Sequence, residues 1–193
     1  MKNKQLLRIT VTAMMIALCY IGANFIKFDI VLPIGATKFH LGNTFCILAA
    51  LLLGGVNGGL AGGLGMMLGD LFDPLYIASA PKTFILKFII GYLAGTFFHN
   101  VFKLDNKDTK NRILKIYLCA AIPAFLNVLV EPCVSWLYYS FILNMADKAA
   151  TVFAGAKLLT TLVNAILATA IAPTLYIAIS SRMSSNLLKD LVH

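Results

Sequence analysis

The sequence predicts an all-α membrane protein, a bundle of six transmembrane helices with both termini cytoplasmic. Three observations predict it: the composition, the spacing of the apolar runs, and the distribution of basic residues between them. Hydrophobic residues fill 60% of the 193 positions and charged residues only 12%. Soluble domains carry roughly a quarter charged residues. A soluble core of this length cannot hide so much apolar surface, whereas a bilayer can accept it. No long hydrophilic stretch divides the chain, so 1–193 reads as a single transmembrane domain.

A helix needs about 20 apolar residues to cross the hydrocarbon layer. Residues 9–26 supply the first span. This run follows a basic start but is longer than a signal-peptide core, and no small-x-small site leads from it into a soluble domain. Residues 43–72 are too long for one ordinary span. Their middle reads Gly54-Gly55-Val56-Asn57-Gly58-Gly59. That is turn chemistry, so the region splits into two short helices. The fourth span covers 82–102. The fifth covers 113–143 and contains Pro123 and Pro132. The sixth covers 150–179.

Charge supports the split. The net charge is +8. With six spans, the basic ends of the chain (Lys2 and Lys189 among them) and the 103–115 loop, including Lys107, share one side. Ten of the sixteen Lys and Arg residues then fall there. Cytoplasmic loops carry such an excess, and the protein is expected in a cell membrane as a multi-pass chain. The basic residues form no stripe with interleaved aromatics, which excludes nucleic acid as a partner. The other face has three connections, 27–42, 70–81 and 144–149, which would form a lid.

Eight of the fourteen glycines lie between Gly54 and Gly69, several at four-residue spacing. In lipid such spacing lets helix backbones approach closely. The chain has no G-x-x-x-x-G-K-[ST], so it hydrolyses no ATP through a P-loop of its own. It has no H-E-x-x-H and no G-x-S-x-G either, so it reads as no enzyme. The four cysteines fall inside apolar runs with no C-x-x-C pair and read as small buried residues; no metal or cofactor is expected. Ala13-x-x-x-Ala17 on the first helix is a second small-residue patch, able to pack against another subunit.

Ionisable residues within membrane helices are costly and are functional candidates by default. Glu131 lies deep in the fifth span, Lys87 just inside the fourth and Lys157 in the sixth. Asn127 and Asn164 add amides. Asp70 closes the third span, and His40 and Asn43 open the second. Glu131 either pairs with Lys87 or Lys157 to lock helices together, or shares a solute with them. Trp136, Tyr138 and Tyr139 follow Glu131. Tyr138 suits an interfacial belt, while Trp136 and Tyr139 suit either the belt or stacking on a flat ligand.

Phe39-His40-Leu41-Gly42-Asn43 leads into an Ala/Leu helix; Gly58-Gly59-Leu60-Ala61-Gly62-Gly63-Leu64-Gly65 and Leu68-Gly69-Asp70-Leu71 follow; Ala80-Pro81-Lys82-Thr83-Phe84-Ile85-Leu86-Lys87-Phe88 opens the next. This order resembles the substrate-binding S components of energy-coupling factor (ECF) vitamin transporters, closest to the riboflavin-type group. The resemblance implies capture of a water-soluble vitamin or precursor from outside. It also implies association with a transmembrane coupling subunit and two cytoplasmic ATPases, with Ala13 and Ala17 at the coupling-subunit contact. It points to Phe39, His40, Asn43, Lys82, Thr83 and Lys87 as site residues. Depth and chemistry add Glu131, Trp136, Tyr139, Lys157 and Asn164. Riboflavin, pyridoxine or a pyrimidine-type precursor are the expected cargoes. The alternative is a stand-alone secondary transporter in which Glu131 carries the coupling proton.

Overall fold

The computed structural model describes residues 2–32, 35–105 and 109–192. Lys107 lies outside the described residues, as do the side chains of Lys2 and Lys189. The elements are α1 (Lys2–Asn24), β1 (Lys27–Leu32), β2 (Gly35–His40), α2 (Gly42–Leu53), α3 (Gly55–Leu71), α4 (Ala80–Thr96), α5 (Arg112–Leu137), α6 (Asp147–Arg182) and α7 (Ser185–Val192). A 3₁₀ turn, Ile77–Ser79, leads into α4. π-helical turns, Phe97–Val101 and Tyr138–Ile142, extend α4 and α5.

Four of these helical stretches are long and apolar enough to cross a membrane: Lys4–Asn24, Ile77–Val101, Arg112–Ile142 and Asp147–Arg182. They coincide with the first, fourth, fifth and sixth expected spans. Pro123 and Pro132 lie inside α5 and Pro173 inside α6, and neither helix is interrupted there.

The region 43–72 does divide, but more sharply than the glycine run suggests. Gly54 alone breaks it, with φ 84° and ψ 173°. That conformation is open to glycine and strained for other residues. Val56 to Gly59 are already helical in α3. The two halves have 12 and 17 residues, or about 18 and 26 Å at 1.5 Å per residue. α2 is therefore too short to span about 30 Å of hydrocarbon alone. It needs no lipid contact: every residue but Phe45 is buried, and it packs against α1, α3, α4, α6 and α7.

The α3–α4 seam shows what the glycines achieve. A Cβ placed on Gly91 would stand 2.7 Å from the backbone of Gly58 and Gly59. Helices in lipid associate through such packing, because apolar side chains gain nothing from leaving acyl chains for one another. Gly58 also faces the backbone of Ala50 on α2 too closely for any side chain.

Two elements were not foreseen. The all-α reading holds for the bundle, but the 27–42 connection contains an antiparallel hairpin, with Lys27 opposite His40 and Leu32 opposite Gly35. Its two short strands carry Ile30, Val31 and Thr37, and β-branched residues suit a pleated surface better than a helix. The second is α7, whose Leu191 is buried against the main core. Asp190 on α7 pairs with Lys4 on α1 at 2.6 Å, so the two ends of the chain meet. Among the cysteines, Cys19, Cys46 and Cys119 are buried as expected, but Cys133 is exposed.

Candidate functional site

The cavity follows from the polar spacing on three helices. On α6, Lys157, Thr160, Thr161 and Asn164 stand at i, i+3, i+4 and i+7, which places them on one face. On α5, Glu131 and Ser135 are one turn apart, and on α4 Thr83 and Lys87 are one turn apart. These faces converge beneath the hairpin around a void of about 40 Å³. Its wall includes Lys38, His40, Asp70, Thr83, Lys87, Glu131, Lys157 and Asn164, closed by Tyr76.

Two carboxylates organise the wall. Glu131, 6% exposed, accepts from the Lys82 Nζ at 2.6 Å and from the Lys87 Nζ at 3.3 Å. Lys82, 3% exposed, also donates to the Ser135 hydroxyl at 2.9 Å. Asp70 accepts from the Lys38 Nζ at 2.9 Å and from the Thr83 hydroxyl at 2.6 Å. Buried ions are tolerable only when paired and hydrogen-bonded in this way.

Asn164 ties the lid to the bundle. Its Oδ1 accepts from the His40 backbone N–H at 2.9 Å, and its Nδ2 donates to the Lys38 carbonyl at 3.1 Å. The hydroxyls of Thr37 and Thr160 pair at 2.7 Å beside it. The His40 Nδ1 accepts from the Gly42 N–H at 3.1 Å, which fixes the ring at the start of α2.

Outside this layer lies a charged latch joining the first two connections. Lys27 reaches Asp73 at 2.7 Å and Asp29 at 3.0 Å. The Tyr76 hydroxyl donates to Asp29 at 2.7 Å, and the Lys38 ammonium lies 4.1 Å from the centre of the Tyr76 ring. Partial burial opposes charge on Lys27, but its hydrogen bonds to Asp73 and Asp29 outweigh that and raise its pKa. Burial likewise opposes the charge on Asp73, and the Lys27 hydrogen bond outweighs it, holding the carboxyl below its usual range. Burial, then the Asp29 hydrogen bond, pushes the Tyr76 phenol up. Leu32 and Met145 pack on the cluster of Tyr139, Ala150 and Phe153, which brings the hairpin to the third connection as well.

Of the residues expected at the site, His40, Thr83, Lys87, Glu131, Lys157 and Asn164 stand on one wall, and Lys82 reaches it through Glu131. Glu131 pairs with Lys82 and Lys87, and not with Lys157. The others are placed elsewhere. Trp136 lines a separate apolar groove between α5 and α6, with Pro132, Cys133 and Thr151. Phe39 sits opposite Phe28 in the hairpin. Tyr139 is buried in its own cluster, with its hydroxyl paired to Ser79. Asn43 is buried at the start of α2, and its Oδ1 has no partner among the described residues. Ala13 and Ala17 are both exposed on α1.

Lys38, Tyr76, Thr160 and Thr161 were not singled out, and Asp70 was noted at the end of the third span but not assigned to the site. The 157/160/161/164 spacing could have shown the two threonines. Lys38 could be placed only once the hairpin was known.

Comparison with curated proteins and with solved structures returned no match. A family model described as the ECF-type riboflavin transporter, S component, matches residues 3–181. That match covers nearly the whole chain, all three lid connections and every wall residue included, and the chain belongs to the ECF-type riboflavin transporter S component family.

Proposed function

We propose that this chain captures a water-soluble vitamin or vitamin precursor from outside the cell and delivers it through an ATP-driven ECF importer. Its family consists of transporter subunits, not enzymes. In this reading all six helices α1 to α6 cross or fill the membrane, both chain ends are cytoplasmic, and the hairpin faces outward. A transmembrane coupling subunit docks on α1 over Ala13 and Ala17, and two cytoplasmic ATPases supply the energy.

The observation that carries the proposal is the cavity under the hairpin. Three lysines and two carboxylates converge on it from five elements, with a latch of charged residues above. An ionisable group inside a membrane protein is a functional-site candidate by default. Ligand sites for molecules of vitamin size occupy roughly 300–1,000 Å³, and the void here is about 40 Å³. Binding therefore requires the hairpin and the 70–81 connection to part, with Lys27 releasing Asp73. His40, Thr83, Lys87, Glu131, Lys157 and Asn164 then meet the solute. Lys82 positions Glu131 from behind.

Mass spectrometry of the purified chain tests this: a vitamin or precursor should survive purification, and titration with a panel including riboflavin, pyridoxine and a pyrimidine precursor should show saturable binding. Copurification of ATPase partners is expected too. Uptake that collapses with the proton gradient but ignores loss of the ATPases would favour the secondary-transporter reading instead.

A further inference from the structure

The charge around the cavity does not balance, and the surplus has a location. Four ammonium groups belong to the site: Lys38, Lys82, Lys87 and Lys157. Two carboxylates answer them, Asp70 and Glu131. Lys38 is matched to Asp70. Glu131 is shared, tightly with Lys82 at 2.6 Å and loosely with Lys87 at 3.3 Å. The Lys157 amine makes no hydrogen bond or ion pair among the described residues. Its neighbours are aromatic faces, with the Phe153 ring centre at 5.3 Å and that of Tyr76 at 6.0 Å. Lys27, Asp29 and Asp73 form their own group in the latch and are not part of the cavity wall.

By formal charge, two positives are thus left over, one at Lys157 and one divided between Lys82 and Lys87. Uncompensated charge in a low-dielectric site is costly, and an opposite charge relieves it far better than a neutral hydrogen-bonding group. Lys87 and Lys157 both line the void, with Thr161 one turn from Lys157 and His40 on the hairpin side. We propose that the solute carries an anionic oxygen group, a carboxylate or a phosphate, which seats between Lys87 and Lys157. The remainder of the solute would lie against Tyr76 and Met66, which complete that wall. This rests on the reading of the chain as a solute-capturing subunit, and it narrows the substrate to an anion.

Calorimetric titration of the full chain in detergent, with paired probes differing in charge, provides the test. The pairs are riboflavin against riboflavin 5′-phosphate, pyridoxine against pyridoxine 5′-phosphate, and nicotinamide against nicotinate. The anionic member of at least one pair should bind at least tenfold tighter. The phosphate pairs and the carboxylate pair separate the two sources of the anion. Lys157→Gln should weaken the anionic member at least tenfold and erase its preference over the neutral counterpart, while Lys157→Arg should keep the preference. Neutral members binding as tightly as anionic ones would overturn the anion assignment and leave the vitamin-capture reading intact. No binding by any probe, with no small molecule retained on purification, would overturn both.

Discussion

The glycine seam between α3 and α4 and the charged cavity above it solve opposite problems with opposite materials. The seam removes side chains, so that Gly91 meets the backbone of Gly58 and Gly59. The cavity inserts long charged side chains and pairs most of them with a partner on another element, as Lys82 is with Glu131. The seam is stable because nothing need be added. The cavity holds a charge surplus that its own residues leave unmet. Rigidity is therefore expected at the glycine end and adaptability at the charged end, as the proposed capture function would require.

The sharpest way to break this contrast is Glu131→Ala. It strips both Lys82 and Lys87 of their carboxylate, and removing one partner of a buried ion pair costs about 3–5 kcal/mol. A thermal melt in detergent should show the loss. Replacing Lys82 by Met in the same background should recover part of it. An unchanged melting point would mean that the charged layer contributes nothing to the fold. Next comes Gly91→Val, which forces side-chain atoms into the α3 backbone. Overpacking costs about 1–3 kcal/mol and occasionally more, and the monodisperse fraction on size exclusion should fall accordingly.

Gly155 supplies the control. It lies within α6, is exposed, and a Cβ there would meet nothing within 4 Å. Gly155→Ala should raise stability by roughly 0.5–1 kcal/mol, the usual gain from alanine over glycine inside a helix. If Gly91→Ala proved equally harmless, the seam would not depend on close approach.

The smallest effect belongs to the latch. Lys27→Ala should cost only about 0.2–1 kcal/mol, the range for partly exposed ion pairs, yet it should raise amide exchange in β1 and β2. Because the pKa of Asp73 is lowered on folding, its contribution is present above the unfolded carboxyl value near 3.9 and fades as pH falls through the lower folded value. Because that of Lys27 is raised, its contribution is present below about 10.4 and is lost as pH climbs through the higher folded value. Hairpin protection should therefore be level from about pH 5 to 9, the interval between those carboxyl and ammonium values. A sharp change within that interval would assign the latch to other groups.

Much of the bundle was legible because apolar length and glycine spacing are local signals. The four long spans, the division near Gly54 and the small-residue packing all follow from them. The hairpin was harder, since residues 27–40 are short, mixed in character and interrupted by Pro33 and Gly35. The site divided along the same line. Glu131 and Lys87 stand out because charge in an apolar run is conspicuous. Their pairing with each other, and with Lys82 rather than Lys157, depends on how α4, α5 and α6 are rotated, which no local pattern records. Trp136 looked eligible by proximity to Glu131, but five positions along a helix turn it onto another side.

The burial of α2 has a consequence for how cargo can travel. Twelve residues, almost all out of contact with solvent or lipid, plug the middle of the molecule between the polar mouth and α7 at the far end. No hinge at the rim can open a continuous channel past such a plug without dismantling the core. On the proposed reading, cargo held at the mouth has no open path past α2 to the other face in this arrangement.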